Sequence, residues 1–323
     1  MDKYNIRTDL ALEARELCGE KAENIDGVEA EYLGDNDVPV TRVKITNENG
    51  AKALGKEMGT YITVEAPLLR ENRPDIMEKA SFALQNELKE LLGDRGKKSV
   101  LAVGLGNRMI TPDSLGPKVI SHLVVTRHIM DEMPRDAREE FAPLCAVAPG
   151  VLGITGIETG EIIKGVAERV KPDMIIAVDS LAARKTERVS TTVQISDTGI
   201  SPGSGVGNTR NEISEKTLGI PVIAIGVPMV VDAATIANDA IDSVIDVLAA
   251  NSDKDGGFYK MLKNMDRQDK HTLISGVLSD RPFYVTPKEI DAVSDRMAKV
   301  VANGINKAVH SGITDEEINA FTS

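Results

Sequence analysis

The sequence predicts an α/β fold in which a mostly parallel sheet carries helices on both faces. Short apolar runs at residues 100–105, 174–178 and 220–227 suit strands buried on both sides, and stretches with helical spacing separate them. Parallel neighbours need a crossover between them, which those helices supply. The chain has 323 residues, 41% hydrophobic and 27% charged, enough for a sizeable core in one large domain or two smaller ones.

Residues 1–9 are mixed and polar and read as an extended arm. Residues 10–96 form an α+β extension with strands expected at 38–45 and 61–64. A helix follows, with Ile76, Ala80, Leu84, Leu88 and Leu91 on one face. Gly93 and Gly96 end it. The α/β core spans residues 97–250. After its first strand, Leu115, Val119, Leu123 and Val124 mark a helix, and a strand returns at 144–148. A helix at 161–170 precedes the strand at 174–178, and a helix at 232–249 follows the strand at 220–227. Residues 189–195, rich in Thr and Val, make an additional strand that could run antiparallel. Residues 251–323 comprise an insertion with little periodicity, 251–283, and C-terminal helices. Thr286, Pro287 and Glu289 predict an N-cap, a first-turn proline and a capping-box partner; Thr314 and Glu317 repeat the capping box.

Composition excludes several functions. The 38 basic and 50 acidic side chains leave a net charge of −12 with no basic block, which argues against a nucleic-acid-binding module. Met1-Asp2-Lys3-Tyr4 opens no apolar signal core, and the longest apolar stretch, near 222–231, is too short to cross a bilayer, so a cytoplasmic protein without membrane contact is expected. Cys18 and Cys145 offer neither a disulfide framework nor a CxxC metal site.

Parallel strands present their C-terminal ends on one rim, where open α/β sheets bind ligands at a topological switch point. Asp113 lies in the loop leaving the first core strand, and Asp179 directly follows the strand at 174–178, so two carboxylates remote in sequence are expected to face one cleft. A close carboxylate pair shares a proton, because ionising both is unfavourable; one then activates water while the other protonates or polarises the scissile amide. The plainer alternative is that each aspartate caps a helix or holds its loop.

Other patterns are weaker. Gly104-Leu105-Gly106 follows a strand as a dinucleotide loop does, but Met109 stands where GxGxxG needs its third glycine. Pro202-Gly203-Ser204-Gly205-Val206-Gly207-Asn208 could cradle an anion or admit a substrate backbone, and reads equally as a flexible loop. Asp197-Thr198-Gly199 matches the short motif of β-rich aspartic proteases in a chain of a different class, so it reads as a turn. His122 and His128, expected in the helix after Asp113, do not share a face as the ligands of a zinc HExxH pair would. Ser114 and Ser180 lack a GxSxG elbow.

Between residues 4 and 240 several segments stand in one order: Arg7-Thr8-Asp9-Leu10-Ala11; Gly104-Leu105-Gly106-Asn107; Thr111-Pro112-Asp113-Ser114-Leu115-Gly116-Pro117; Thr155-Gly156-Ile157-Glu158-Thr159-Gly160-Glu161; Val178-Asp179-Ser180-Leu181-Ala182-Ala183-Arg184; Pro202 to Asn208; and Gly226-Val227-Pro228-Met229-Val230-Val231-Asp232-Ala233. Together they resemble the germination protease family of endospore-forming bacteria, peptidases that degrade small acid-soluble spore proteins. The C-terminal third matches less distinctly, and Met229 stands where the family pattern usually carries a smaller polar residue. The family is similar in fold to hydrogenase-maturation peptidases, whose cleft holds a metal, but is regarded as an atypical aspartic peptidase without one.

The resemblance implies an endopeptidase that initiates spore-protein degradation during germination, with Asp113 and Asp179 catalytic and neither metal nor other cofactor. It implies a self-processing zymogen whose propeptide, residues 1–9, is cut at Asp9-Leu10, because an acid followed by Leu10-Ala11 mimics the sites the family cuts. It further implies a homotetramer in the forespore and spore core, with spore proteins as partners and no direct contact with nucleic acid. Gly106, Asn107, Glu158, Arg184, Gly203 and Gly205 are the possible substrate-binding residues. An acidic residue before the cut needs a cationic or donor-rich pocket, for which Arg108, Lys118, Arg184 and Arg188 are chemically suited. The alternatives are a metal-dependent maturation-type peptidase and a nucleotide-binding α/β enzyme using the Gly104 and Gly203 loops.

Overall fold

The computed structural model describes residues 8–16, 18, 25–93, 98–203, 211–251 and 283–322. Helix α1 (Ala11–Glu16) precedes a hairpin of β1 (Val28–Gly34) and β2 (Pro39–Ile45), then helix α2 (Glu48–Leu54), β3 (Gly59–Glu65) and the long helix α3 (Pro74–Leu92). The core continues with β4 (Val100–Gly104), α4 (Leu115–Ser121), α5 (Arg135–Glu140), β5 (Leu144–Val147), α6 (Leu152–Thr155), α7 (Thr159–Val170) and β6 (Met174–Ala183). Strand β7 (Thr192–Ser196), α8 (Glu215–Leu218), β8 (Val222–Asp232), α9 (Ala233–Asn251), β9 (Tyr284–Val285), α10 (Ile290–Val309) and α11 (Asp315–Thr322) follow.

Among the described residues the strands join one nine-stranded sheet in the order β1-β2-β3-β7-β8-β6-β4-β5, with β9 on β8. The pairs β4–β5, β4–β6 and β6–β8 are parallel, as the buried apolar runs predict. The sheet as a whole is mixed, which corrects the expectation of a mostly parallel one. β7 lies antiparallel to both β8 and β3, and so joins the antiparallel β1-β2-β3 meander to the parallel half. β1 was not expected from the sequence. It is an edge strand with mostly exposed side chains, so burial leaves little alternation to read.

Alternate side chains of the central strands feed opposite layers. Val100, Ala102, Ile176 and Val178 pack with α3, α4 and α10, whereas Leu101, Val103, Ile175 and Ala177 pack with Ile163 and Ala167 of α7. Helices therefore cover both faces. Local signals explain most boundaries. Pro74 opens α3, and Gly93, at φ 66°, returns its N–H to Lys89 O. Asn47 caps α2 by accepting from Gly50 N, and Thr314 with Glu317 completes the predicted capping box of α11.

Three boundaries differ from expectation. α4 ends at Ser121, so His122 is its C-cap and His128 lies beyond it; Leu123 and Val124 are buried without being helical. Thr286 and Pro287 do not open α10, which begins at Ile290 after Glu289. β6 and β8 run on together to Ala183 and Val231, past where the apolar runs thin out, with a register shift between Leu181 and Ala182. Asp179 is thus inside a strand rather than after one. The predicted insertion falls almost wholly in 252–282, outside the described residues.

Candidate active site

The site forms where β4 stops short of its neighbour. Gly104, the last residue of β4, is in register with Val178, and β6 continues without it to Asp179, which remains 4% exposed. Leu105 N donates to Val178 O at 2.8 Å, tying the loop that leaves β4 to β6. Two glycines then bring α4 against the strand ends. A Cβ on Gly116 would lie 2.3 Å from Leu105 O and 2.6 Å from Val178 O, and one on Gly104 would lie 2.3 Å from Gly116 O. Only bare backbone permits that approach. It fixes the short turn Thr111–Asp113 directly ahead of α4.

Within the loop, Asn107 N donates to Asp113 Oδ2 at 2.8 Å, and Gly106 turns at φ +106° with its Cα backed against Asp113. Asp179 Oδ1 accepts from Ser180 N at 2.8 Å. Strand alternation puts Asp179 on the same face as Ile175 and Ala177, the α7 side. Both aspartates line one cavity of about 310 Å³, together with Gly106, Thr159, Gly203 and, from the arm, Asp9. A smaller cavity of about 190 Å³, lined by Lys56 and Gln194 among others, abuts it, and Asp9, Leu181 and Ser201 line both.

The arm meets the end of β6 at Ala182. Asp9 N donates to Ala182 O at 3.2 Å, and Ala182 N donates to Asp9 Oδ2 at 2.9 Å. The Asp9 carbonyl oxygen accepts from Lys56 Nζ at 2.9 Å and from Gln194 Nε2 at 3.1 Å. Leu10 is 0% exposed, packed among Leu181, Ala183, Val189 and Val231. Behind it, the buried Glu13 carboxylate accepts from the amides of Arg184 and Lys185 and lies beside Arg188. Burial lowers the pKa of Lys56, while Asp9 and Glu13 nearby oppose that shift.

Of the residues named from sequence, Asp113, Asp179, Gly106, Gly203 and Asp9 line the larger cavity. Asn107 acts through its amide on Asp113, and its side chain accepts from Met109 N. Glu158 stands just outside, as the N-cap residue before Thr159. Gly205 lies outside the described residues. The proposed cations are engaged elsewhere: Arg184 with Asp239 at 3.1 Å, Lys118 with Asp295 at 2.8 Å, Arg108 with Ser121 Oγ, and Arg188 with Glu16 and Glu65. Among the described residues, Lys56 reaches the carbonyl oxygen of the arm's Asp9, and the sequence reading missed it. Its only sequence signal is a lysine after a helix-ending glycine, and the β3–β7 pairing that seats it is not local. Asp197-Thr198-Gly199 is a bend in which Asp197 accepts from Thr60 N at 2.8 Å. Among the described residues no group of three or more His, Cys, Asp or Glu is arranged to hold a metal ion.

An α/β protein with a carboxylate-lined cleft at its strand ends is the class that fold and site define. Comparison with known proteins specifies it. The chain matches the family profile described as germination protease over residues 7–258 and 249–322. It is 52% identical to a germination protease of Caldanaerobacter subterraneus over 316 residues, 97% of each chain. It is 49% identical to one from Clostridium perfringens over 322 residues, 98% of this chain and 99% of that one. A Halalkalibacterium halodurans relative is 39% identical over an alignment that covers 100% of this chain and 98% of that one. The chain belongs to the germination protease family and is a peptidase, a spore germination endopeptidase. No helix among the described residues is long and apolar enough to cross a membrane.

Proposed function

We propose that Asp113 and Asp179 are the catalytic pair of this endopeptidase, with water as the nucleophile. One carboxylate, ionised, takes a proton as the water oxygen bonds to the scissile carbonyl carbon. The other, protonated, polarises the carbonyl and then protonates the leaving nitrogen as the C–N bond breaks. The Asn107 amide holds Asp113 in line, and Ser180 N holds Asp179. The observation that carries the reading is that both aspartates and the arm residue Asp9 line one cavity.

The same observation supports self-processing at Asp9-Leu10, with residues 1–9 as propeptide. Asp9 is hydrogen-bonded through its amide and its carboxylate to Ala182, three residues beyond Asp179, and Leu10 fills an apolar pocket, so the arm lies as a substrate would. Small acid-soluble spore proteins are the proposed substrates, cut after an acidic residue followed by a hydrophobic one and alanine. A homotetramer, residence in the forespore and spore core, and a core akin to that of hydrogenase-maturation peptidases complete the proposal by family resemblance. The test is Asp113→Asn and Asp179→Asn in the full chain, assayed by N-terminal sequencing and by digestion of a spore-protein substrate. Folded variants should lose cleavage by several orders of magnitude; an undiminished rate in either removes that aspartate from the mechanism.

A further inference from the structure

The Asp9 carbonyl oxygen is met by two side-chain donors that nothing in the local sequence requires. Lys56 Nζ comes from just past the C-cap of α2, and Gln194 Nε2 from the middle of β7, where Gln194 pairs with Thr63 on one side and Gly226 on the other. Gln194 is 8% exposed, and its amide is oriented: Oε1 accepts from Ala11 N at 2.6 Å, which turns Nε2 to Asp9 O. The side chain thus grips the backbone on either side of Leu10. Meanwhile Ala182 holds the amide and carboxylate of Asp9. The peptide unit Asp9-Leu10 is fixed from three directions.

Two converging donors occupy both lone pairs of the carbonyl oxygen, and the lysine among them suits an oxygen that becomes negative. Anchoring of the arm is already supplied elsewhere, by Ala182 at the amide and carboxylate of Asp9 and by the burial of Leu10. Burial lowers the pKa of Lys56, and the nearby Asp9 and Glu13 work against that shift.

We infer that Lys56 and Gln194 form the oxyanion site of this peptidase: catalytic residues that share with the protonated carboxyl the charge developing on the carbonyl oxygen of the residue before the cut. The inference rests on reading Asp9-Leu10 as the scissile bond. When water adds to the Asp9 carbonyl carbon, the π electron pair moves onto the oxygen, between the Lys56 ammonium and the Gln194 amide. When the intermediate collapses, that pair re-forms the carbonyl, the bond to Leu10 N breaks, and the nitrogen takes its proton from the carboxyl pair. Donors and carboxylates then divide the work between the abutting cavities, with Asp9 shared by both.

The experiment uses the full chain. Lys56→Met removes the donor and keeps most of the stem; Gln194→Glu keeps the acceptor toward Ala11 N and removes the donor to Asp9; Lys56→Arg restores a cation. The first-order rate of cleavage at Asp9-Leu10 is read by intact mass, beside thermal unfolding of each protein. Lys56→Met and Gln194→Glu should each slow cleavage by roughly 10²–10³-fold, the usual loss for one oxyanion donor, and Lys56→Arg should recover part of it. Folded Lys56→Met and Gln194→Glu proteins cut as fast as wild type, or an arginine no better than methionine, would overturn the inference alone. A wild-type chain left intact or cut at another bond would overturn the underlying reading with it. Should Lys56→Met fail to fold, the nearly isosteric Gln194→Glu carries the same decision.

Discussion

Gly116→Ala should damage the site through the fold. The new methyl group would start 2.3 Å from Leu105 O, 2.5 Å from Leu105 N and 2.6 Å from Val178 O, all backbone atoms, where ordinary contact begins at 3.4 Å. Leu105 and Val178 are themselves hydrogen-bonded together, so neither yields alone. Relief requires α4 to retreat from the ends of β4 and β6 by about 1 Å, an overpacking strain of about 1–3 kcal/mol. Asp113 sits in the turn immediately ahead of α4 and moves with it, while Asp179 stays in β6. A displacement of about 1 Å between catalytic groups costs on the order of 10² in rate. The assay pairs thermal or urea unfolding with the cleavage rate on a peptide substrate. Gly165→Ala is the control: its position in α7 has nothing within 4 Å of a new Cβ, so it should gain about 0.5–1 kcal/mol of stability with unchanged activity. A Gly116→Ala protein as stable and as active as wild type would refute the reasoning. Lost stability with full activity would show that the close approach does not position Asp113.

Two further outcomes follow from buried polar groups. Arg188 is nearly buried; burial works against its charge, but the hydrogen bonds it donates to Glu16 and Glu65 outweigh that and raise its pKa, so Arg188→Met leaves the buried Glu13 carboxylate without its cationic neighbour and should cost about 3–5 kcal/mol by urea denaturation, against less than about 1 kcal/mol if the cluster were solvated. His310 accepts from Ala142 N and meets Val124 O at 2.9 Å, and burial pushes its pKa below the ordinary 6.5 despite that carbonyl. The unfolded chain therefore binds the proton first: this stability is complete above about pH 6.5 and falls as pH drops toward the folded-state pKa, by about 1.4 kcal/mol per unit of separation. His310→Gln should flatten that acid limb in a series of unfolding midpoints, and parallel limbs for both proteins would contradict it.

The parallel half of the sheet was legible because strands buried on both faces read as unbroken apolar runs, as at Val100 to Leu105 and Met174 to Val178. Those runs locate the rim, and the rim locates Asp113 and Asp179. What the runs do not show is where pairing stops. β6 continues through Asp179 and Ser180 because β8 continues beside it, and a polar residue in a strand carries no local mark of that. Thr286-Pro287 looks like a helix start, yet the helix begins at Ile290, since β9 holds Tyr284 and Val285 extended against β8 just upstream. The cations chosen from sequence were those near the motifs. Each has a carboxylate or hydroxyl partner of its own, whereas Lys56 is far from every motif and is delivered by tertiary pairing.

That delivery bears on how the chain divides. Sequence rhythm changes near residue 97 and suggests an extension attached to a core. The sheet carries hydrogen bonds through that change: Ile62 of β3 is in register with Ile195 of β7, which is in register with Ile225 of β8, which lies beside Val178 of β6. Asp179 is therefore separated from Lys56 by paired strands of one sheet rather than by a linker. On the proposed reading, carboxylates from the parallel half and donors from the antiparallel half meet at the Asp9 peptide unit, with β7 holding the halves in fixed register. On that reading, a cleft built on residues 97–250 alone would keep its two acids and Gln194 but leave the carbonyl oxygen without Lys56. The proposed site therefore draws on residues 10–96, and it groups their α2–β3 junction with the rim loops as a place where substitutions should alter cleavage.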